Sequence, residues 1–112
     1  IGHTGNLSAT VKAIEYIDTC IGKLYKEVLK RNGTLIITAD HGNAETMLDP
    51  KTQEIYPKHT NNHVPFIIIS KKYFILKKIT GSLRDITPTI LELFHIQKPL
   101  IYTGKSLITP TI

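Results

Sequence analysis

Apolar residues between Leu7 and Lys30 recur at the spacing of a helix. Leu7, Ile14, Ile17, Ile21, Leu24 and Val28 share one face, and Lys12, Glu15, Lys23, Lys26 and Lys30 lie mostly off it. Asn6 stands where its side chain can accept from an unpaired amide of the first turn. Asn32-Gly33 supplies residues that tolerate positive φ at the far end. The pattern then changes. Thr34-Leu35-Ile36-Ile37-Thr38-Ala39 is short, apolar and β-branched, which predicts a buried strand. Asp40-His41-Gly42-Asn43 follows at its C-terminal end. Residues 47–62 have no clear period and contain Asp49-Pro50 and Tyr56-Pro57, so they read as a long loop holding at most a small hairpin. Val64 to Ser70 is a second buried strand with Pro65 at its entrance. Residues 72–79 fit a short edge strand or a loop, and Gly81 turns the chain. Asp85-Ile86-Thr87-Pro88 opens a short helix through Phe94, with Ile86, Ile90, Leu91 and Phe94 as its apolar side and Lys98-Pro99 as its stop. This order predicts α/β layering, and two central strands do not complete a sheet.

The 112 residues fit one small domain or part of a larger one. A hydrophobic share of 41% and a charged share of 21% belong to a globular chain rather than a disordered one. The chain opens at Ile1 directly on Gly2-His3-Thr4-Gly5, which reads as a segment with further sequence upstream. The net charge of +5 suits an anionic partner. Its Lys and Arg residues are scattered, however, with no aromatic platform or basic helix beside them, which argues against nucleic acid. Cys20 is the only cysteine, so no internal disulfide forms, as in a reducing compartment. No apolar run reaches the ~20 residues that span a bilayer, so no membrane partner is expected.

Three histidines have surroundings that point to chemistry. His3 lies between glycines, His41 follows Asp40 at a strand end, and His59 stands in Lys58-His59-Thr60-Asn61-Asn62 before the second strand. Asp40 offers a hard oxygen ligand and the imidazoles offer borderline nitrogens. That mixed set suits Mn²⁺ or Zn²⁺ better than Ca²⁺. Gly2, Gly5 and Gly42 let backbone approach an ion or a phosphate. A loop histidine also serves as a plain surface or hydrogen-bonding group, and spacing alone leaves both readings open. Adjacent residues of an extended strand point opposite ways, so Asp40 and His41 reach one ion only if the chain turns there. His63 reads as a local hydrogen-bonding group, His95 as a helix-end residue and Cys20 as buried filler; Glu45 and Asp49, near the site, read either as supports behind the ligands or, in preference, as exposed surface groups.

Taken in order, Gly2-His3-Thr4-Gly5-Asn6, the run Thr38 to Glu45, His59-Thr60-Asn61 before Val64-Pro65-Phe66, Leu83 to Leu91 and Thr103 to Ile108 resemble the end of the cofactor-independent phosphoglycerate mutases. The resemblance covers almost the whole chain. It implies that residues 1–112 are the C-terminal part of a metal-binding, alkaline-phosphatase-like three-layer α/β domain, interrupted in the family by a substrate-gripping domain. It implies interconversion of 3-phosphoglycerate and 2-phosphoglycerate through a phosphoserine, with two Mn²⁺ ions and no bisphosphoglycerate. His3 and His59 match ligands of the ion at the substrate phosphoryl group, and Asp40 and His41 match ligands of the ion that activates the serine. A cytoplasmic, monomeric enzyme of glycolysis and gluconeogenesis is the expected parent.

The sequence departs from the family at Asn61, where a second Thr is common, at His63, and at Ile101-Tyr102 in place of a more usual Glu-Met. None of these is an expected ligand. The family's nucleophilic serine, further acidic ligands and substrate-domain cations have no counterpart here, and neither Ser8, Ser70, Ser82 nor Ser106 occupies the nucleophile's motif. No catalytic residue is therefore expected in this chain, and the segment alone is expected to be inactive. Two rival readings are another phosphomutase or metal-dependent phosphatase of the same superfamily, and a non-catalytic metal-binding module.

Overall fold

The computed structural model describes residues 1–77 and 80–110. The chain forms two compact units, Ile1–Lys71 and Lys72–Ile112.

The first unit begins with a 3-10 turn, Gly2–Thr4, closed by Gly5 at φ 65°. Helix α1 spans Leu7–Lys30 as expected. The Asn6 side chain caps it by accepting from the Ala9 amide at 3.0 Å. At the other end the Gly33 amide donates to the Val28 carbonyl at 2.9 Å and the Asn32 amide to that of Leu29 at 3.1 Å. This is a Schellman closure, and Asn32 rather than Gly33 carries the positive φ, 55°. Strand β1, Thr34–Thr38, pairs antiparallel with β2, Phe66–Ser70, in a register that sets Thr34 opposite Ser70 and Thr38 opposite Phe66. The Thr34 hydroxyl donates to the Ser70 hydroxyl at 3.0 Å at one end of the pair.

Burial differs from expectation. Both strands were expected to be buried, yet they are mostly half-buried and Ile67 is exposed. Helix α1 packs on β1, but its apolar stripe stays open. Leu7 is 61% exposed, Ile14 55% and Leu24 56%, while Cys20, Ile21 and Val28 are half-buried. A two-stranded sheet has too little surface to cover a 24-residue helix.

Between the strands, the long loop does contain a small hairpin. Isolated antiparallel bridges join Gly42 to Thr60 and Leu48 to Ile55. Its tip is a turn in which Asp49 accepts from the amides of Lys51 at 2.8 Å and Thr52 at 3.1 Å.

In the second unit, strand β3, Phe74–Leu76, pairs antiparallel with β4, Ile108–Pro110. Of the two readings of 72–79, edge strand or loop, the strand forms over Phe74–Leu76, and Lys78 and Ile79 lie outside the described residues. A 3-10 turn, Leu83–Asp85, leads into helix α2, Ile86–Leu93. A capping box at Ser82 and Asp85 fixes that turn, with the Ser82 amide donating to the Asp85 carboxylate at 2.9 Å. Helix α2 ends before Lys98-Pro99. The Ile96 amide turns back to the Leu91 carbonyl at 2.9 Å with His95 at φ 54°, so backbone closure stops the helix and not proline. Among the described residues of this unit, Pro88, Thr89, Gly104, Leu107 and Ile108 are buried, and Phe94, expected on the apolar side, is exposed. No helix among the described residues is long and apolar enough to cross a membrane.

Candidate metal centre

The antiparallel pairing of β1 and β2 determines where the chemistry gathers. Thr38, the last residue of β1, lies opposite Phe66, the first of β2. The segment leaving β1 and the segment entering β2 therefore emerge at the same end of the sheet. His41 is on the first and His59 on the second, and their rings stack with centroids 3.5 Å apart at an interplanar angle of 17°. His3, from the opening turn, joins them, its ring 5.2 Å from that of His59. Asp40 is exposed, with a carboxylate oxygen 3.7 Å from Nε2 of His41.

Two of the rings are oriented by backbone. Nδ1 of His3 lies 2.6 Å from the Pro57 carbonyl oxygen, and Nδ1 of His41 lies 3.2 Å from that of Gly42. A carbonyl only accepts, so each Nδ1 carries its proton and donates. In the neutral form of such a ring the lone pair is on Nε2, which is the nitrogen a metal ion would then take. Three imidazoles and one carboxylate form a nitrogen–oxygen donor set that fits a borderline divalent ion. Among the described residues, no group of three or more histidine, cysteine, aspartate or glutamate side chains stands in position to hold a single ion. The structure thus brings His3, His41 and His59 together and sets Asp40 at their edge.

Glu45 is tied into the site more closely than its place in the sequence suggests. It is exposed, as expected, but its carboxylate accepts from the Thr60 hydroxyl, from the Asn43 amide at 2.7 Å and from the Asn62 side-chain amide at 3.0 Å. The Thr60 hydroxyl chiefly, with its own amide and those of Asn43 and Asn62 assisting against desolvation, lowers its pKa to about 2. Asp49, also expected near the site, instead caps the tip of the hairpin. The amides of Lys51 and Thr52 hold its carboxyl below the ordinary range. His63 is exposed, and His95 serves the end of α2 through its backbone.

Residues 1–98 match the Metalloenzyme superfamily. The chain is 50% identical over 110 residues to the 2,3-bisphosphoglycerate-independent phosphoglycerate mutase of Vesicomyosocius okutanii subsp. Calyptogena okutanii, covering 97% of this chain and 22% of that protein. It is 48% identical over the same span to the protein of that name from Clostridioides difficile. The chain thus spans about a fifth of the length of the curated relatives it matches. Among solved structures it superposes on Leishmania mexicana phosphoglycerate mutase, crystallised at low cobalt concentration, with a TM-score of 0.84 and 29% identity. That match covers 99% of this chain and 23% of the other.

Proposed function

Because the chain belongs to the Metalloenzyme superfamily, we propose that it supplies ligands to the two-metal centre of a cofactor-independent phosphoglycerate mutase. The parent enzyme in this reading interconverts 3-phosphoglycerate and 2-phosphoglycerate through a phosphoserine. It is an isomerase of glycolysis and gluconeogenesis, cytoplasmic and monomeric. The observation that carries the reading is the 50% identity to a phosphoglycerate mutase across 97% of the chain. The convergence of three imidazoles at one sheet end supports it.

His3 and His59 are assigned to one ion, and Asp40 and His41 to the other. When bound, two Mn²⁺ ions neutralise phosphoryl oxygens and lower the pKa of a serine hydroxyl. This chain's own part is to hold and orient donors. The Pro57 and Gly42 carbonyls accept from Nδ1 of His3 and His41, which leaves Nε2 as the nitrogen that each ring would offer an ion. Asp40 adds negative charge in solvent reach, which raises the site's attraction for a cation. The serine that receives the phosphoryl group and the groups that grip the glycerate belong to other parts of the parent protein.

Two assays test this. The 112-residue chain is titrated with Mn²⁺ by calorimetry, beside His41→Ala and His59→Ala, and assayed for mutase turnover. Weak binding that either substitution abolishes, without turnover, is expected. A chain of the relatives' length that carries this sequence is expected to turn over 3-phosphoglycerate with no added bisphosphoglycerate. Activity confined to other phosphate esters would replace the mutase reading by that of a related phosphatase or phosphomutase.

A further inference from the structure

The backbone alone does not account for the stacking of His41 and His59. Their segments meet through a single antiparallel bridge, in which the Thr60 amide donates to the Gly42 carbonyl at 2.8 Å. Each bridge residue is the chain neighbour of a histidine, so whatever fixes the bridge fixes the rings. One side chain spans it from both sides. The Glu45 carboxylate belongs to the His41 segment, where it accepts from the Asn43 amide, and it reaches the His59 segment through the Thr60 hydroxyl and the Asn62 side chain. Asn62 also donates to the Thr46 hydroxyl at 3.4 Å, which closes a second link between the same segments.

The approach is close enough that a side chain at position 42 would displace the groups across the bridge. A Cβ there would collide with both the Thr60 hydroxyl and the Glu45 carboxylate. Asn43 extends the same clasp to the third histidine. Its side chain donates to the Lys58 carbonyl at 3.1 Å, and its Oδ1 occupies the space a Cβ on Gly2 would need, beside His3. These bonds are between residues 15 to 17 apart in sequence, so they are long-range ties and not turn-forming contacts.

We propose that Glu45 is the positioning residue of the histidine cluster, its carboxylate clasping the segment that bears His41 to the segment that bears His59. It touches neither substrate nor ion and acts through Thr60 and Asn62. Its consequence for metal affinity rests on the reading above in which the histidines are ligands, but its consequence for ring geometry does not.

The test uses the 112-residue chain with ¹³C,¹⁵N-labelled histidine, first without metal. The stacked rings of His41 and His59 are expected to show ring protons shifted upfield by each other. Glu45→Ala is expected to move both sets toward ordinary histidine positions while His95, in the other unit, does not move. Glu45→Gln, which keeps one acceptor oxygen for Thr60 and Asn62, is expected to restore much of the shift. Thr60→Val, which removes only the hydroxyl, is expected to act like Glu45→Ala. It also serves as the deciding variant if Glu45→Ala does not fold.

The same variants are then titrated with Mn²⁺. Loss of an outer partner typically lowers metal affinity by about 10- to 100-fold, and that loss is expected for Glu45→Ala. Unchanged ring shifts in Glu45→Ala or Thr60→Val, with the β1–β2 amide pattern intact, would overturn the proposal, as would rings with no mutual shift in the parent chain. Ring shifts that move as expected in a chain that binds no Mn²⁺ would uphold the positioning role and overturn the metal reading instead.

Discussion

The Glu45 carboxyl is exposed to solvent and still held ionised, because the donors that surround it favour the charged form. Its pKa in the folded chain lies below its ordinary value of 4.5, at about 2. A lowered pKa stabilises the fold above the unfolded value, and that contribution is lost as pH falls through the folded one. The contribution is therefore complete above about pH 4.5 and disappears toward pH 2. A ¹³C titration of the Glu45 carboxyl should have its midpoint near 2, and Thr60→Val should raise it toward the ordinary value. A midpoint near 4.5 in the parent chain would mean that the Thr60 bond is absent in solution. Residue types told part of this story in advance. Asp40, His41, His3 and His59 are chemically conspicuous, and the glycines beside them mark close approach. Glu45, Thr60 and Asn62 are ordinary polar residues, and a bond between loop residues 15 or 17 positions apart has no periodic signature to read.

Regular elements reflect local rules where local rules decide. Helix α1 was readable at both ends because Asn6 caps through its own side chain and Asn32 tolerates the left-handed turn. Strand β4 was not readable. It is three residues long, ends in Pro110, and exists only because β3 pairs with it from more than thirty positions away. Yet it holds Ile108, which is fully buried, and it follows Leu107, whose amide donates to the Thr89 hydroxyl at 3.0 Å. Thr89 is itself fully buried inside α2, and its hydroxyl donates to the Asp85 carbonyl at 2.7 Å. This one hydroxyl thus joins helix to strand with both its capacities used. Thr89→Val keeps the shape and leaves the Leu107 amide unpaired, which should lower stability by about 1–3 kcal/mol. Urea denaturation measures the loss, and faster hydrogen exchange at Leu107 should accompany it. A Thr89→Val chain as stable as the parent would show that the buried bond contributes nothing net.

The folded chain keeps much of its apolar surface in water. Met47, Leu107 and Ile108 are the buried hydrophobic side chains among the described residues, whereas Leu7, Val11, Ile14, Ile17 and Leu24 line an exposed stripe on α1. A stripe of that extent favours association, and among the described residues β1 and β2 form a sheet of two strands, which is small for a stable isolated sheet. The isolated chain should therefore sediment with a weight that rises with concentration, and its thermal midpoint should rise with concentration as well. Ile14→Lys, on the open face, should reduce that association and leave the helix in place. A monomer with a concentration-independent midpoint would contradict this account. The α/β character was legible in the alternation of patterns, but the degree of exposure was not, because a hydrophobic run looks the same whether or not something covers it.

The loop between β1 and β2 resembles a noose drawn tight at its neck. The Gly42–Thr60 bridge closes the neck and the Leu48–Ile55 bridge closes the far hairpin, which leaves Pro50 to Gln53 as an exposed bight. Doubling the length of a flexible loop adds only about 0.6 kcal/mol of closure entropy, so extra residues at Lys51-Thr52 are absorbed outside both knots. One extra residue between Gly42 and Glu45, or between Thr60 and Asn62, would instead have to pass through the knot itself. Length is free to drift in the bight and is locked at the neck, and so the two histidines keep their distance however the loop's tip is rewritten.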